Sequence, residues 1–114
     1  MKLAWINLFV SDVEGVADWY CKTLGLKAQH TSARFAMLSG GRGGADVSFH
    51  QGKPLGHPDR VQLHFQVADV DAVYKKLKKK GVNFDAPPKT MSWGWRHVCT
   101  KDPAGHTIEI VQQV

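Results

Sequence analysis

The chain has 114 residues, a length that suits one domain and leaves no room for a second core. Hydrophobic residues at 43% and charged residues at 22% exclude a disordered, collagen-like or disulfide-scaffold protein. Fifteen basic against ten acidic side chains leave a net charge of +5. Lys75, Lys76, Lys78, Lys79 and Lys80 equal that whole excess, and on a helix such a run is a solvated face. A nucleic-acid surface would set arginines within such a run, and none are there, so no nucleic-acid partner is expected.

Residues 3–10 alternate, with Ile6, Leu8 and Val10 on one side and Trp5, Asn7 and Phe9 on the other, which predicts a strand. This apolar start reads as that strand and not as a signal peptide, because Asp12 and Glu14 follow at once without a small-residue cleavage site. Asp12 is placed to cap a helix over 12–24, whose apolar stripe is Val13, Val16, Ala17, Tyr20 and Leu24, with Gly25 as its stop. Three short strands are expected near 26–30, 33–38 and 45–51. The glycine-rich run 39–44 lacks the Gly-Lys-Ser/Thr ending of a phosphate-binding loop and reads as a flexible connection.

The second half repeats the first. Phe9-Val10-Ser11-Asp12-Val13-Glu14 matches Gln66-Val67-Ala68-Asp69-Val70-Asp71, an offset of 57 residues. Leu63, Phe65 and Val67 alternate with Gln62, His64 and Gln66, and Asp69 caps a helix over 69–80 that ends at Gly81. Its apolar stripe is Val70, Val73, Tyr74 and Leu77. Strands follow near 82–86, 95–100 and 106–112. Asp102-Pro103-Ala104-Gly105 has the residues of a type I turn and should close a hairpin that delivers Thr107 to Ile110. The pattern is βαβββ twice: one α+β domain, 1–114, made of modules at about 1–56 and 57–114. Cys21 and Cys99 share no C-x-x-C spacing, and reduced thiols in a cytoplasmic protein are the expectation. No apolar stretch approaches the ~20 residues that cross a bilayer, so no membrane partner is expected.

Val10-Ser11-Asp12-Val13-Glu14 followed by Tyr20-Cys21 and Leu24-Gly25-Leu26 resembles the opening of the glyoxalase/bleomycin-resistance/extradiol-dioxygenase family, the vicinal oxygen chelates. His64 to Ala72 and Asp102 to Ile110 resemble its later signatures. The resemblance covers nearly the whole chain. It implies paired βαβββ modules whose mixed sheets curl around a shared cleft, with the helices outside, and it implies homodimers. Family activities run from lyases, epimerases or isomerases and dioxygenases to proteins that only sequester antibiotics, so fold alone assigns none of them.

Most family enzymes hold a divalent metal with His, Gln or Glu on the first, fourth, fifth and eighth strands. Matched to this sequence, those positions carry Trp5, Ser48, Gln62 and Glu109. An indole cannot ligate and a hydroxyl is a weak ligand, so no metal or other cofactor is expected at the usual place. A shifted set of His50, His64 and Glu109 has the right ligand types. Each histidine, however, lies two residues, or ~6.6 Å, along its strand from the family position. Read without a metal, both histidines are polar lining.

Strand alternation sends Trp5, Asn7, Ser48 and His50 of the first half toward the cleft, together with Gln62, His64 and Glu109 of the second. So polar a sheet face suits a ligand better than packed side chains. Trp93, Trp95 and Arg96 enter the seventh strand, where two indoles and a guanidinium would close over a bound molecule. The expected partner is therefore a small planar aromatic or heteroaromatic molecule, a metabolite or an antibiotic. The basic chain argues against bleomycin itself, which is cationic. The alternative is an enzyme, through the shifted metal set or with Glu109 or His64 as general base.

Overall fold

Asp12 and Asp69 start their helices in the same way. The Oδ1 of Asp12 accepts from the Gly15 N–H at 3.0 Å, and that of Asp69 from the Ala72 N–H at 3.1 Å. Each satisfies a backbone donor that the first helical turn leaves unpaired. The computed structural model describes residues 1–114. These residues fall into two compact units, Met1–Pro58 and Asp59–Val114.

In the first unit, strand β1 (Trp5–Val10) leads into helix α1 (Val13–Leu24), and β2 (Ala28–Thr31), β3 (Phe35–Leu38) and β4 (Asp46–Gln51) follow. The sheet order is β1-β4-β3-β2, with β1 parallel to β4 and the other pairs antiparallel. Helix α1 ends at Gly25, whose φ of 75° is the left-handed region that a residue with a Cβ avoids. It packs on β2, β3 and β4 and buries Val13, Val16, Ala17 and Tyr20 against Ala36, Leu38 and Phe49. The Tyr20 and Phe49 rings lie 5.1 Å apart, both fully buried, and burial of a side chain like Phe49 is worth roughly 1.5–3 kcal/mol. Ile6, read from the alternation as a core residue, is 40% exposed. It lies near the start of the edge strand, away from the strands that α1 mainly covers. In the 39–44 connection a Cβ on Gly40 would stand 1.7 Å from the Ala45 carbonyl oxygen, so the chain can turn there only with glycine.

In the second unit, a short 3-10 helix (Pro58–Arg60, reaching back one residue) precedes β5 (Gln62–Gln66). Helix α2 (Val70–Lys79) follows, then β6 (Lys89–Thr90), β7 (Trp95–Lys101) and β8 (Thr107–Gln113). The order β5-β8-β7-β6 repeats that of the first sheet, with β5 parallel to β8. Helix α2 packs on β7 and β8, and Val70, Leu77, Val98, Ile108 and Ile110 form the buried core. The two βαβββ modules predicted from the repeat are present as two four-stranded mixed sheets, each with one helix. All five lysines of 75–80 are exposed. No helix is long and apolar enough to cross a membrane.

The strand expected at 82–86 is not formed; the sixth strand is Lys89–Thr90 alone. The predicted segment runs beside β7 but is held by single contacts. The Asp85 N–H donates to the Cys99 carbonyl at 3.2 Å, and the Thr100 hydroxyl to the Asn83 carbonyl at 2.5 Å. Pro87 and Pro88 have no N–H to extend a ladder, which delays regular pairing until after them.

Between β7 and β8 the predicted turn is present. The Gly105 N–H donates to the Asp102 carbonyl at 3.0 Å. The Asp102 carboxylate accepts from the backbone N–H groups of Ala104 and His106 at 2.9 and 3.0 Å.

Candidate functional site

Period-two alternation in β5 puts Gln62, His64 and Gln66 on the face of the second sheet opposite its helix. Register extends that face. His64 pairs with Glu109 and Gln66 with Val111 on β8, and Val111 pairs with His97 on β7. Met91, Trp93 and Trp95 form the wall of the resulting cavity, whose volume is ≈ 510 Å³, within the range of small-molecule sites. The wall is a tight turn. Met91 donates its N–H to the Trp95 carbonyl at 2.7 Å, Gly94 to Met91 at 3.1 Å, and Val114 to Gly94 at 2.9 Å. These bonds hold Trp93 at the turn tip, 68% exposed, while Trp95 is half-buried in β7.

Of the residues singled out in the sequence, Gln62, His64, Trp93, Trp95 and Glu109 meet in this cavity. Arg96 does not. Trp95 and Arg96 both lie in β7 and not on the loop, so alternation turns them to opposite faces. Arg96 points to the helix side, where Nε and Nη2 donate to the two carboxylate oxygens of Asp71 at 2.8 and 2.9 Å. The bidentate hydrogen bond from Arg96 holds the Asp71 carboxyl below the usual carboxylate range, and the guanidinium is raised in return.

Trp5, Asn7, Ser48 and His50 stand on the corresponding face of the first sheet, where β1 and β4 pair Asn7 with Ser48. Asn7 Oδ1 accepts from the Ser48 hydroxyl at 2.8 Å and from His50 Nδ1 at 2.5 Å. Ser48 is fully buried, whereas Trp5 is 54% exposed. The His50 ring also lies 4.4 Å from that of Phe35.

The residue that sequence reasoning missed is His97. Its Nδ1 donates to Glu109 Oε2 at 2.8 Å, with the two side chains 30% and 13% exposed. The signal was available: in a strand beginning at Trp95, residue 97 shares the indole's face. His64 takes a different partner, its Nε2 donating to Gln62 Oε1 at 3.3 Å. Cys99 is the register partner of Glu109, and its thiol is pushed up to about 12 by burial, with the carboxylates of Glu109 and Asp85 adding to the effect. It is a poor nucleophile.

The donor set does not fit the family's metal. Trp5 offers no ligand atom, Ser48 spends its hydroxyl hydrogen on Asn7, and Glu109 is engaged by His97. No group of three or more His, Cys, Asp or Glu side chains is placed to hold an ion.

Comparison with known proteins agrees with this fold. The family model described as Glyoxalase/Bleomycin resistance protein/Dioxygenase superfamily matches residues 2–110. No curated protein matches the sequence. Among solved structures, one titled "conserved domain protein" is 26% identical, with a TM-score of 0.87 over 100% of both chains. A superfamily member from Sphaerobacter thermophilus is 27% identical, with a TM-score of 0.78 over 99% of this chain and 98% of the other. A lactoylglutathione lyase from Agrobacterium tumefaciens is 15% identical and superimposes with a TM-score of 0.78, over 97% of this chain and 92% of the other. That last likeness is one of fold alone.

Proposed function

Since the chain belongs to the Glyoxalase/Bleomycin resistance protein/Dioxygenase superfamily, we propose that it is a metal-independent binding protein for a small planar aromatic or heteroaromatic molecule, sequestering a metabolite or an antibiotic. The observation that carries this reading is the second unit's cavity, where two indoles face Gln62, His64 and Glu109. Indole faces contribute stacking worth ~0.5–1.5 kcal/mol beyond area burial, and the polar side chains set the ligand's orientation. Titrating tryptophan fluorescence with a library of aromatic metabolites and antibiotics tests it. Saturable quenching that is weakened by Trp95→Ala supports the reading. A library in which no compound perturbs the signal removes it.

The His97–Glu109 contact favours a second reading, a lyase, isomerase or dioxygenase that uses Glu109 or His64 as general base. Glu109→Gln separates the two. A binder of a neutral ligand keeps its affinity, while an enzyme loses ~10²-fold or more in turnover with binding retained. A homodimer belongs to the same proposal. The exposed Trp5, Ile6 and Phe9 on edge strand β1 supply apolar surface for it, and sedimentation as a monomer at micromolar concentration would oppose it.

A further inference from the structure

His97 is the histidine of the cavity that a carboxylate holds in place, with one nitrogen fixed and the other free. Its Nδ1 lies 2.8 Å from Glu109 Oε2. A carboxylate only accepts, so the hydrogen is on Nδ1, and in the neutral ring Nε2 then presents a lone pair. That Nε2 makes no hydrogen bond within the chain, and the ring lines the cavity. His64 is held more loosely, its Nε2 donating to Gln62 Oε1 at 3.3 Å on the exposed side, so its second nitrogen is less firmly aimed. Trp95 lies two residues before His97 on the same face of β7, about 6.6 Å along the strand. A flat molecule stacked on the Trp95 indole therefore brings its edge toward His97.

We infer that His97 Nε2 is the hydrogen-bond acceptor that selects, among planar aromatic molecules, those with an N–H or O–H donor at the ring edge: phenols, azoles and lactams. Glu109 is the positioning residue, holding the tautomer that makes Nε2 an acceptor. The inference rests on the cavity being a ligand site and adds what that site discriminates. A molecule whose ring-edge heteroatom is alkylated has the same face to stack but leaves the acceptor unpaired, which is what makes the choice selective.

The test compares naphthol with its methyl ether by tryptophan fluorescence titration of the full chain. Naphthol is expected to bind about tenfold more tightly, the upper range for one hydrogen bond gained. His97→Phe should abolish that preference and Glu109→Gln should narrow it, the readout in each variant being the ratio of its naphthol and ether affinities. Nitrogen NMR of the labelled imidazole gives a check that needs no variant, because Nε2 should resonate as an unprotonated nitrogen. Equal affinities for naphthol and ether in the unaltered protein, or a protonated Nε2 in the neutral ring, overturn the inference and leave the ligand site standing. Failure of both probes to bind removes the ligand site and the inference with it.

Discussion

His106 Nδ1 lies 2.7 Å from Asp102 Oδ2, and both side chains are buried inside the turn that joins β7 to β8. The same carboxylate accepts two backbone N–H groups, so one side chain organises the whole turn. Three residues beyond it, β8 carries Glu109 into the cavity. The turn that resembles a family signature is thus a structural clamp that sets where the acid arrives.

Asp102→Ala should therefore cost stability well before it touches chemistry. Removing one partner of a buried, hydrogen-bonded pair is typically worth ~3–5 kcal/mol. Urea unfolding should show a large fall in midpoint. A change within ~0.5 kcal/mol would mean that the turn holds itself without the clamp.

The two indoles of the cavity should not contribute equally. Trp95 is half-buried at the cavity wall, and its replacement by alanine should weaken a bound aromatic by roughly tenfold or more. Trp93, mostly exposed at the turn tip, should matter less. Isothermal calorimetry on the two variants with any ligand found by fluorescence gives the order, and the reverse order would place the ligand at the turn tip.

Metal content follows from the donor chemistry. Protein purified without a histidine tag is expected to carry no stoichiometric zinc, nickel or iron, and ligand binding should survive a chelator. Elemental analysis that found near one equivalent per chain, lost together with binding in chelator, would contradict the indole and the engaged hydroxyl at the ligand positions.

Cys99 should resist thiol reagents. A thiol raised from 9.0 to about 12 has roughly 10³-fold less thiolate at pH 8 than one left at its usual value. Alkylation of folded protein, mapped by mass spectrometry, should therefore lag far behind that of the urea-unfolded chain. The raised value also has a sign in stability. The folded state holds this proton more tightly, so the contribution is complete below pH 9 and is lost as pH rises from there toward 12. Cys99→Ser should flatten that alkaline loss, and an unchanged slope would assign it to other groups.

Much of the fold was legible because its rules are local. An aspartate before an apolar stripe, a glycine at a helix end and a proline-glycine turn act within four residues of themselves, and α1, α2 and the β7–β8 turn lie where those signals put them. The segment at 82–86 shows where locality ends. Its composition allows a strand, but it meets β7 only through single bonds at Asn83 and Asp85, and pairing is a property of two segments.

By itself the sequence determined the alternation of β1 and β5 and the duplicated βαβββ order, because a period of two and a repeated motif need no partner to be read. It thereby placed Gln62, His64 and Glu109 on one face. Only the tertiary structure decided which side chains become neighbours. Alternation says that Trp95 and Arg96 face opposite ways, yet the register of β7 on β8 is what brings His97 to Glu109 and sets Cys99 opposite the same acid. The packing of α2 is what gives Arg96 its carboxylate in Asp71. Register and packing arise from many weak contacts summed across distant segments, and no single stretch of chain contains that sum.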